Sequence, residues 1–449
     1  MVKINSYIAK VLETLEKKYS GETEFVQAAT AVFQSLSQII EQNPVYKDKK
    51  ILERIVEPER VLIFRIPWRN ERGELQINMG YSVGFNSVLG PYKGGLRFHP
   101  LVNLSILKFL GFEQIFQNAL AGLLLGGGTG GSDFNPCGKS EDEIETFCQV
   151  FMTSLFRYIG SETDVPAGDI GVGEREIAWL LGVYCRLKNH FEGGAANKWG
   201  EWESSHLCPE VTGYSVSYFA EEMLNTQKQT INGKKVAVSG FGNVAWGVVK
   251  KVSEIGGKVI TLSGPDGFIL DKDGIQGEKI DYMLEMRNGG NGRVKTFADR
   301  FKVPFFSHER PWSVPVDIAF PCACENELNE KDAEALIKNG CLAITEGANM
   351  AVTAKAAELL RDNKIFHAPG KATNAGKVAF SRLEVMQNNA KTTLKRQEVD
   401  GKLCQIVKNI HRNCLSAAEK AGTPGDYVNG ANVAGFMRVS QVMIDQGLV

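Results

Sequence analysis

A glycine-rich turn in the second half of the chain has the clearest chemical meaning. It reads GFGNVA from Gly240 to Ala245, follows a predicted strand and opens a predicted helix. Gly240 permits the tight turn, Gly242 lets a pyrophosphate approach the backbone, and Ala245 allows the helix to pack closely on the strand. The amides of Asn243 and Val244, at the helix start, attract phosphate. The pattern predicts a dinucleotide-binding loop, and the alternative is a turn that serves packing alone.

Cofactor choice is indicated by the end of the next predicted strand. Ser263 closes that strand and Asp266 follows it, at about the distance where an adenine ribose is recognised. The carboxylate of Asp266 can accept from a 2′-hydroxyl and would repel a 2′-phosphate, and no arginine lies beside it. These residues favour NAD over NADP. The alternative is a plain surface turn, since proline, aspartate and glycine also produce one.

Short apolar segments separated by helical patterns surround this loop. They lie at residues 235–239, 259–262, 316–320 and 342–345. That alternation predicts a parallel sheet wrapped by helices, which is a Rossmann-like domain.

The first half of the chain has a different pattern. Residues 6–42 carry apolar positions at helical spacing, and residues 61–68 predict a strand that returns through a turn into residues 75–79. Ser140 and Glu143 match a capping box at the start of a helix that runs through Phe156. These elements predict an α/β domain, and the family resemblance given below implies that it is a substrate and oligomerisation domain with a mixed sheet.

The length of 449 residues exceeds what one hydrophobic core usually supports, so two domains are expected. The segment at residues 192–208 is rich in glycine and polar residues, as a hinge would be. We therefore assign residues 1–206, with a C-terminal helix at about 425–449, to the substrate domain. Residues 207–424 form the predicted nucleotide-binding domain.

Composition excludes several classes of partner. The net charge of −1 disfavours nucleic acid, and no apolar stretch is long enough to cross a membrane. The amino terminus soon becomes a charged helical pattern, unlike a secretory signal, so a cytoplasmic protein with reduced thiols is expected. Nine cysteines include the close pair Cys322 and Cys324, but no further ligand is tied to them, so no metal site is predicted.

Three long motifs occur in fixed order with the glycine turn. They are GPYKGGLRFHP at residues 90–100, GGGTGG at residues 126–131 and VPAGDIGVG at residues 165–173. With SGFGNVAWG at residues 239–247, the chain resembles the hexameric glutamate dehydrogenases nearly end to end. The resemblance implies a homo-hexamer and NAD-dependent oxidation of L-glutamate to 2-oxoglutarate and ammonia.

The resemblance also implies roles for single residues. Lys93 matches the lysine that holds the side-chain carboxylate of the substrate, and Ser381 matches the serine that assists it. Gln114 would contact the main carboxylate, and Asp169 would transfer a proton. On the cofactor side, the residues implied to meet the nicotinamide carboxamide are Thr212 and Asn349.

Two positions depart from the family where its chemistry needs lysine. Gln117 stands in place of a lysine that pairs with the α-carboxylate, and Thr129 stands in place of the lysine that performs acid/base chemistry. A threonine hydroxyl neither titrates near neutrality nor reaches as far as an ammonium. Lys377 and Arg382 stand where the family has glycines, and the alternative to loss of function is that one of them restores a cation.

Three hypotheses follow. The first is a family member that keeps the fold and the nucleotide but has lost efficient glutamate oxidation, and that acts through binding or within a larger assembly. The second is an active NAD-dependent dehydrogenase for glutamate, rescued by other cations, or for another amino acid. The third is a non-catalytic subunit mixed into hexamers with an active paralogue.

Overall fold

The described part of the chain forms two compact units. The computed structural model describes residues 5–189, 210–288, 293–380 and 395–448. The first unit comprises Met1–His206, Ser381–Leu394 and Asn432–Val449, and the second comprises Leu207–Phe380 and Lys395–Ala431. The predicted hinge at residues 192–208 lies outside the described residues. The two units are described separately below.

The first unit is built on a five-stranded mixed sheet in the order β1-β2-β4-β3-β5. Its strands are β1 (Arg60–Arg69), β2 (Leu75–Asn86), β3 (Tyr92–Phe98), β4 (Gly126–Ser132) and β5 (Asp164–Gly168). Strands β1, β2 and β4 pair antiparallel, whereas β3 runs parallel to both β4 and β5. The predicted hairpin is confirmed, because β1 pairs with β2 from Arg60 to Arg69.

Helices cover this sheet. Its amino-terminal helices are α1 (Ser6–Lys18), α2 (Thr23–Ser35), α3 (Ser37–Gln42), α4 (Val45–Asp48) and α5 (Ile51–Ile55). Between strands lie α6 (Leu104–Leu120), α7 (Glu141–Leu155) and α8 (Glu174–Lys188). The predicted capping box of α7 is confirmed, since Ser140 Oγ accepts from the amide of Glu143 and Glu143 Oε2 accepts from that of Ser140.

An aromatic cluster fixes α7 against the sheet. The rings of Phe134 and Phe147 stack with centroids 3.8 Å apart, and Phe98 meets Phe147 edge to face at 5.2 Å. Trp68 and Phe151 complete the contact from β1 and α7. Aromatic pairs stabilise a fold by more than the apolar area they bury accounts for. This cluster therefore fixes the Phe98 end of β3 against α7.

The second unit contains a seven-stranded sheet in the order β12-β11-β10-β6-β7-β8-β9. Its strands are β6 (Lys235–Val238), β7 (Lys258–Gly264), β8 (Gly267–Leu270), β9 (Phe305–Ser307), β10 (Ile318–Phe320), β11 (Ala343–Thr345) and β12 (Phe366–Ala368). Strands β12, β11, β10, β6 and β7 are parallel, and β8 and β9 add antiparallel edges. The predicted parallel sheet is confirmed.

The helices of the second unit flank this sheet. They are α9 (Val211–Asn225), α10 (Asn243–Glu254), α11 (Glu278–Asn288), α12 (Val294–Phe301), α13 (Glu330–Lys338), α14 (Ala354–Asp362), α15 (Gly370–Thr373) and α16 (Arg396–Lys420). A final helix, α17 (Tyr427–Gln446), belongs to the first unit from Asn432 onward. Among the described residues, no helix combines the length and apolarity that a membrane crossing needs.

Candidate functional site

In the first unit, two glycine-rich strands lie unusually close together. Lys93 occupies β3 opposite Gly127 of β4 and Val165 of β5. At the next position, a Cβ on Gly94 would stand 1.6 Å from the carbonyl oxygen of Gly128, which no side chain could tolerate. The glycines therefore set the spacing of the strands, and Lys93 is held at a fixed point on them.

Helix α6 brings two of the predicted residues to these strands. Asn118 is completely buried, and its Nδ2 donates to the carbonyl oxygens of Lys93, at 3.3 Å, and Gly126, at 2.6 Å. Gln114 Nε2 donates to Asn118 Oδ1 at 2.8 Å. Gln117 follows one turn later and is only 7% exposed. Gln114 and Lys93 are thus connected through Asn118, and a neutral amide occupies the buried position at residue 117.

Thr129 lies inside β4 and is 6% exposed. Its Oγ1 donates its one proton to the carbonyl oxygen of Gly95 at 2.9 Å. Its methyl group packs against α6 at Gly111, where a Cβ would lie 3.5 Å from Thr129 Cγ2 and 3.2 Å from Phe85. The hydroxyl is engaged in a neutral structural hydrogen bond and has no charge to offer.

Asp169 and Thr129 both contact Gly95. A Cβ on Gly95 would lie 2.8 Å from the Cβ of Asp169, so Gly95 contacts Asp169 through its Cα and Thr129 through its carbonyl. The Asp169 side chain is 29% exposed, and its Oδ2 accepts from Arg97 Nε at 3.0 Å. Arg97 is therefore ion-paired with this aspartate.

A second carboxylate, that of Asp164, lies close to Thr129. Asp164 contacts Arg60 and Ser82, each at 3.3 Å, and with Ser82 and Thr129 it lines a cavity of about 10 Å³, room for one water. Burial raises the pKa of Asp164 to about 6, against the lowering effects of Arg60, Ser82 and Lys93. Lys93 is thus close enough for its charge to act on Asp164.

In the second unit, the loop at residues 240–245 has the geometry that the sequence predicts. Gly240 has φ +84°, and a Cβ there would stand 2.8 Å from the carbonyl oxygen of Cys322. Its amide donates to Ser263 Oγ at 2.9 Å, so Ser263 supports the turn. Gly242 precedes α10, and a Cβ there would meet nothing within 4 Å. An open, amide-lined helix start is what a pyrophosphate requires.

The remaining loop residues fall on the two sides of this helix start. Asn243 is exposed and Val244 half-buried, whereas Ala245 is buried in the contact with the sheet. Burial raises the pKa of the Cys322 thiol beside the loop above its ordinary value, which keeps the thiol neutral and apolar.

Asp266 makes contacts that the sequence did not predict. Its Oδ1 accepts from the amide of Val294 and its Oδ2 from that of Lys295, each at 3.0 Å. Both oxygens thereby satisfy amides at the start of α12. A carboxylate oxygen has two lone pairs, so these contacts leave acceptor capacity for a hydroxyl.

Of the residues expected at the nicotinamide end, Thr212 lies in the first turn of α9 and Asn349 lies on the loop after β11. Thr212 precedes Gly213, which packs on Gly247 of α10 so closely that a Cβ would lie 2.5 Å from the carbonyl carbon of Gly247. Asn349 follows β11, and its Oδ1 accepts from Asn374 Nδ2 at 3.2 Å. Asn374 is 7% exposed, and its own Oδ1 has no hydrogen-bond partner in the described structure. A buried, unpaired acceptor fits the amide of a carboxamide.

The structure does not place the predicted positions 377, 381 and 382 with the other candidate residues. Ser381 and Arg382 lie outside the described residues. Lys377 is half-buried in the second unit, and its amide donates to the carbonyl oxygen of Asn374.

Sequence reasoning missed Arg97, Asn118, Glu346 and His367. A signal existed for two of them. Asn118 lies four residues after Gln114 on one helix face, and Arg97 follows Leu96, whose parallel partner Gly168 precedes Asp169. Glu346 and His367 meet only once β11 and β12 pair.

A two-domain dehydrogenase is the class that this fold and these loops define, and comparison with known proteins agrees. The profile "Glutamate/Leucine/Phenylalanine/Valine dehydrogenase" matches residues 204–447, and "Glu/Leu/Phe/Val dehydrogenase, dimerisation domain" matches residues 58–186. The chain belongs to the Glu/Leu/Phe/Val dehydrogenase family.

Its similarity to individual members extends over nearly the full chain. It is 50% identical to "NAD-specific glutamate dehydrogenase" of Bacteroides fragilis, over 98% of this chain and 100% of that one. It is 46% identical to "NADP-specific glutamate dehydrogenase" of Escherichia coli, over 98% of each chain. A solved structure titled glutamate dehydrogenase superposes with a TM-score of 0.94 at 46% identity, covering 99% of this chain and 100% of that one.

Proposed function

We propose that this chain is a glutamate dehydrogenase homologue that binds NAD but oxidises glutamate at no more than a trace rate. The family reaction converts L-glutamate, NAD and water into 2-oxoglutarate, ammonia and NADH. The observation that carries the proposal is the buried hydroxyl of Thr129. It donates its one hydrogen bond to the carbonyl oxygen of Gly95, the residue that also contacts Asp169. A protein with intact nucleotide loops and this pocket acts through binding or assembly.

The chemistry explains why one threonine matters. Oxidation of an amino acid needs cations for its carboxylates and an acid/base group that steers water onto the iminium. Asp169 is present, but its positive neighbour Arg97 is already paired with it. A positioned acid/base contributes roughly 10²–10⁴ in rate, and a hydrogen bond to a charged group about 1.5–3 kcal/mol. With neutral groups at residues 117 and 129, both contributions are missing.

The alternative is an active dehydrogenase in which Lys377 or Arg382 supplies the missing charge, or in which the substrate is a different amino acid. Substrate profiling of the purified protein separates these outcomes. If Lys377→Met abolishes a measurable wild-type turnover, the rescue alternative holds. A preference for a smaller or uncharged amino acid would instead indicate altered specificity.

NAD is the proposed nucleotide. The Asp266 carboxylate, oriented by the two amides at residues 294 and 295, presents negative charge where a 2′-phosphate would sit. Similar proteins include some named NAD-specific and others named NADP-specific, so this residue carries the argument. Titration with NADH and NADPH measures the preference directly, and tighter binding of NADPH would contradict it.

We further propose self-association, with a hexamer as the expected state. On one face of the β1–β2 hairpin, Ile63, Leu75 and Ile77 are 55%, 59% and 60% exposed. Register places Pro67 opposite Ile77 on that face, where the arginines at residues 65 and 69 also lie, so exposed apolar side chains and positive charge form the surface offered to a second copy. Light scattering after size exclusion measures the assembly, and Ile77→Glu should shift it toward smaller species. Co-purification with an active paralogue would indicate mixed hexamers.

The deciding experiment measures two properties of the same protein. Fluorescence titration with NADH should show binding, while glutamate-dependent NADH formation should stay near the detection limit. Asp169→Asn is the matched control, because it should leave a trace rate unchanged but abolish a true enzymatic one. Turnover at an ordinary dehydrogenase rate that disappears in Asp169→Asn would refute the proposal.

A further inference from the structure

A buried carboxylate holds together the segments expected at the nicotinamide end of the site. Glu346 directly follows β11 and is 3% exposed. Its Oε2 accepts from the amides of Ala351 and Gly370, each at 3.1 Å. These two amides belong to different segments, one on the loop after β11 and one at the start of α15, which follows β12. The carboxylate is therefore a bridge between the two segments.

The third donor to this carboxylate is a histidine. His367 lies in β12 opposite Ile344 of β11, and its Nε2 is 2.6 Å from Glu346 Oε1. We assign the donor role in this contact to His367 Nε2, because the carboxylate already accepts from two amides. Three donors compensate the burial of this charge, which would otherwise be costly.

The bridge extends to the asparagines of the site. Thr373 Oγ1 donates to the carbonyl oxygen of Glu346 at 2.5 Å. Asn374, the next residue, donates from Nδ2 to the carbonyl oxygen of Gly347 at 3.1 Å and to Asn349 Oδ1 at 3.2 Å. The position of Asn349 and the direction of Asn374 thus depend on how the two segments meet at Glu346.

We propose that His367 is a positioning residue that, through Glu346, holds Asn349 and Asn374 in the arrangement that recognises the nicotinamide carboxamide. The inference rests on the proposed binding of NAD. His367 would not touch the ligand. When the N–H of His367 is lost, Glu346 keeps only two of its three donors. The segments after β11 and β12 are then held together less firmly, and Asn349 and Asn374 no longer keep one fixed geometry.

The test compares two ligands that differ only at the nicotinamide end. NADH carries the nicotinamide and ADP-ribose lacks it, so the ratio of their dissociation constants isolates recognition at that end. His367→Met and His367→Gln form a matched pair, because the side chains have similar length and only glutamine can donate to Glu346. Both variants are compared with wild type, with thermal unfolding recorded alongside.

We expect His367→Met to reduce the preference for NADH over ADP-ribose by about tenfold, as for loss of a hydrogen bond to a charged group. ADP-ribose affinity should remain unchanged, and His367→Gln should restore most of the preference. If His367→Met does not fold, Thr373→Val removes the second tie to Glu346 and should reduce the same ratio by a smaller factor.

Three results would overturn the inference. One is a wild-type ratio in His367→Met, or in Thr373→Val where that variant replaces it. Another is an equal loss of both ligands, which indicates a merely structural role. The third is a wild-type protein that binds neither ligand, which refutes the proposed function as well, whereas the first two leave that function intact.

Discussion

Glycine is used for opposite purposes in the two units. At residues 240–245 it clears space so that backbone amides can face a ligand, and Gly242 has open space around it. In β3 and β4 it lets two strands approach, and the chemistry proposed there depends on the side chains at residues 93 and 129. A site made of backbone survives many substitutions, whereas a site made of side chains is lost when one or two of them change.

Restoring charge to the side-chain site should have the largest effect. We expect Thr129→Lys combined with Gln117→Lys to raise glutamate-dependent NADH formation by roughly 10²–10⁴-fold. Gly111 packs closely on residue 129, since a Cβ on it would lie 3.5 Å from Thr129 Cγ2, so the control variant must match the added bulk as well as lack the charge. Steady-state rates of the double and single variants, with Thr129→Gln as a neutral control, provide the measurement. Equal rates in the double variant and the control would show that more than these two cations has been lost.

The buried carboxylate of Asp164 should make the stability of the protein depend on pH. The pKa of Asp164 rises from 3.8 to about 6 on folding, so the folded chain binds the proton more tightly. Its contribution to stability is full below pH 3.8 and is lost as pH rises through about 6. Relative to wild type, Asp164→Asn should therefore gain stability between pH 4 and pH 7.5, by at most about 3 kcal/mol.

Urea unfolding of wild type and Asp164→Asn at the two pH values measures this difference. Shared carboxylates cancel in the comparison. A difference between the proteins that is constant with pH, or that moves in the other direction, would contradict the assigned pKa.

The backbone site should fail in two distinguishable ways. Gly240→Ala places a Cβ 2.8 Å from the Cys322 carbonyl at φ +84°, which costs about 1–3 kcal/mol of stability and weakens NADH binding. Gly242→Ala meets no protein atom, so stability should stay unchanged while NADH affinity falls because the methyl group occupies ligand space. Thermal unfolding and NADH titration of both variants test this, and unchanged affinity in Gly242→Ala would exclude the loop as the phosphate site.

The smallest effect is expected at the threonine itself. Thr129→Val keeps the shape and removes the hydrogen bond to Gly95, at a cost of about 1 kcal/mol in unfolding free energy. Neither NADH affinity nor the trace glutamate rate should change. A further drop in that rate would show that the hydroxyl takes part in turnover.

The sequence predicted those elements that follow from alternating apolar residues or from a helix-capping pattern. It did not predict the element whose formation depends on close contacts between strands. The β1–β2 hairpin, the capping box of α7 and the parallel strands of the second unit follow from local pattern. Strand β4 does not, because GGGTGG has little strand propensity. It forms because its neighbours leave room only for glycine: a Cβ on Gly131 would lie 2.3 Å from the Arg97 carbonyl oxygen.

The same division holds for the site. The residues at 93, 114, 129 and 169 were singled out from motifs, and their roles stay predictions. The structure links Lys93 with Gln114 through Asn118, and Thr129 with Asp169 through Gly95. The pairing of Glu346 with His367 was not predictable, since it depends on the register of two three-residue strands. Long-range partners of charged groups need the sheet topology first.

If Asp266 selects the nucleotide as proposed, it links cofactor specificity to folding. Replacing it with a small neutral residue, the obvious step toward accepting a 2′-phosphate, would also uncap α12, because its two oxygens hold the amides of Val294 and Lys295. Asparagine, which retains one acceptor oxygen, would do less damage. Engineering or evolution toward the other dinucleotide must therefore secure a helix terminus and alter a recognition residue in the same move.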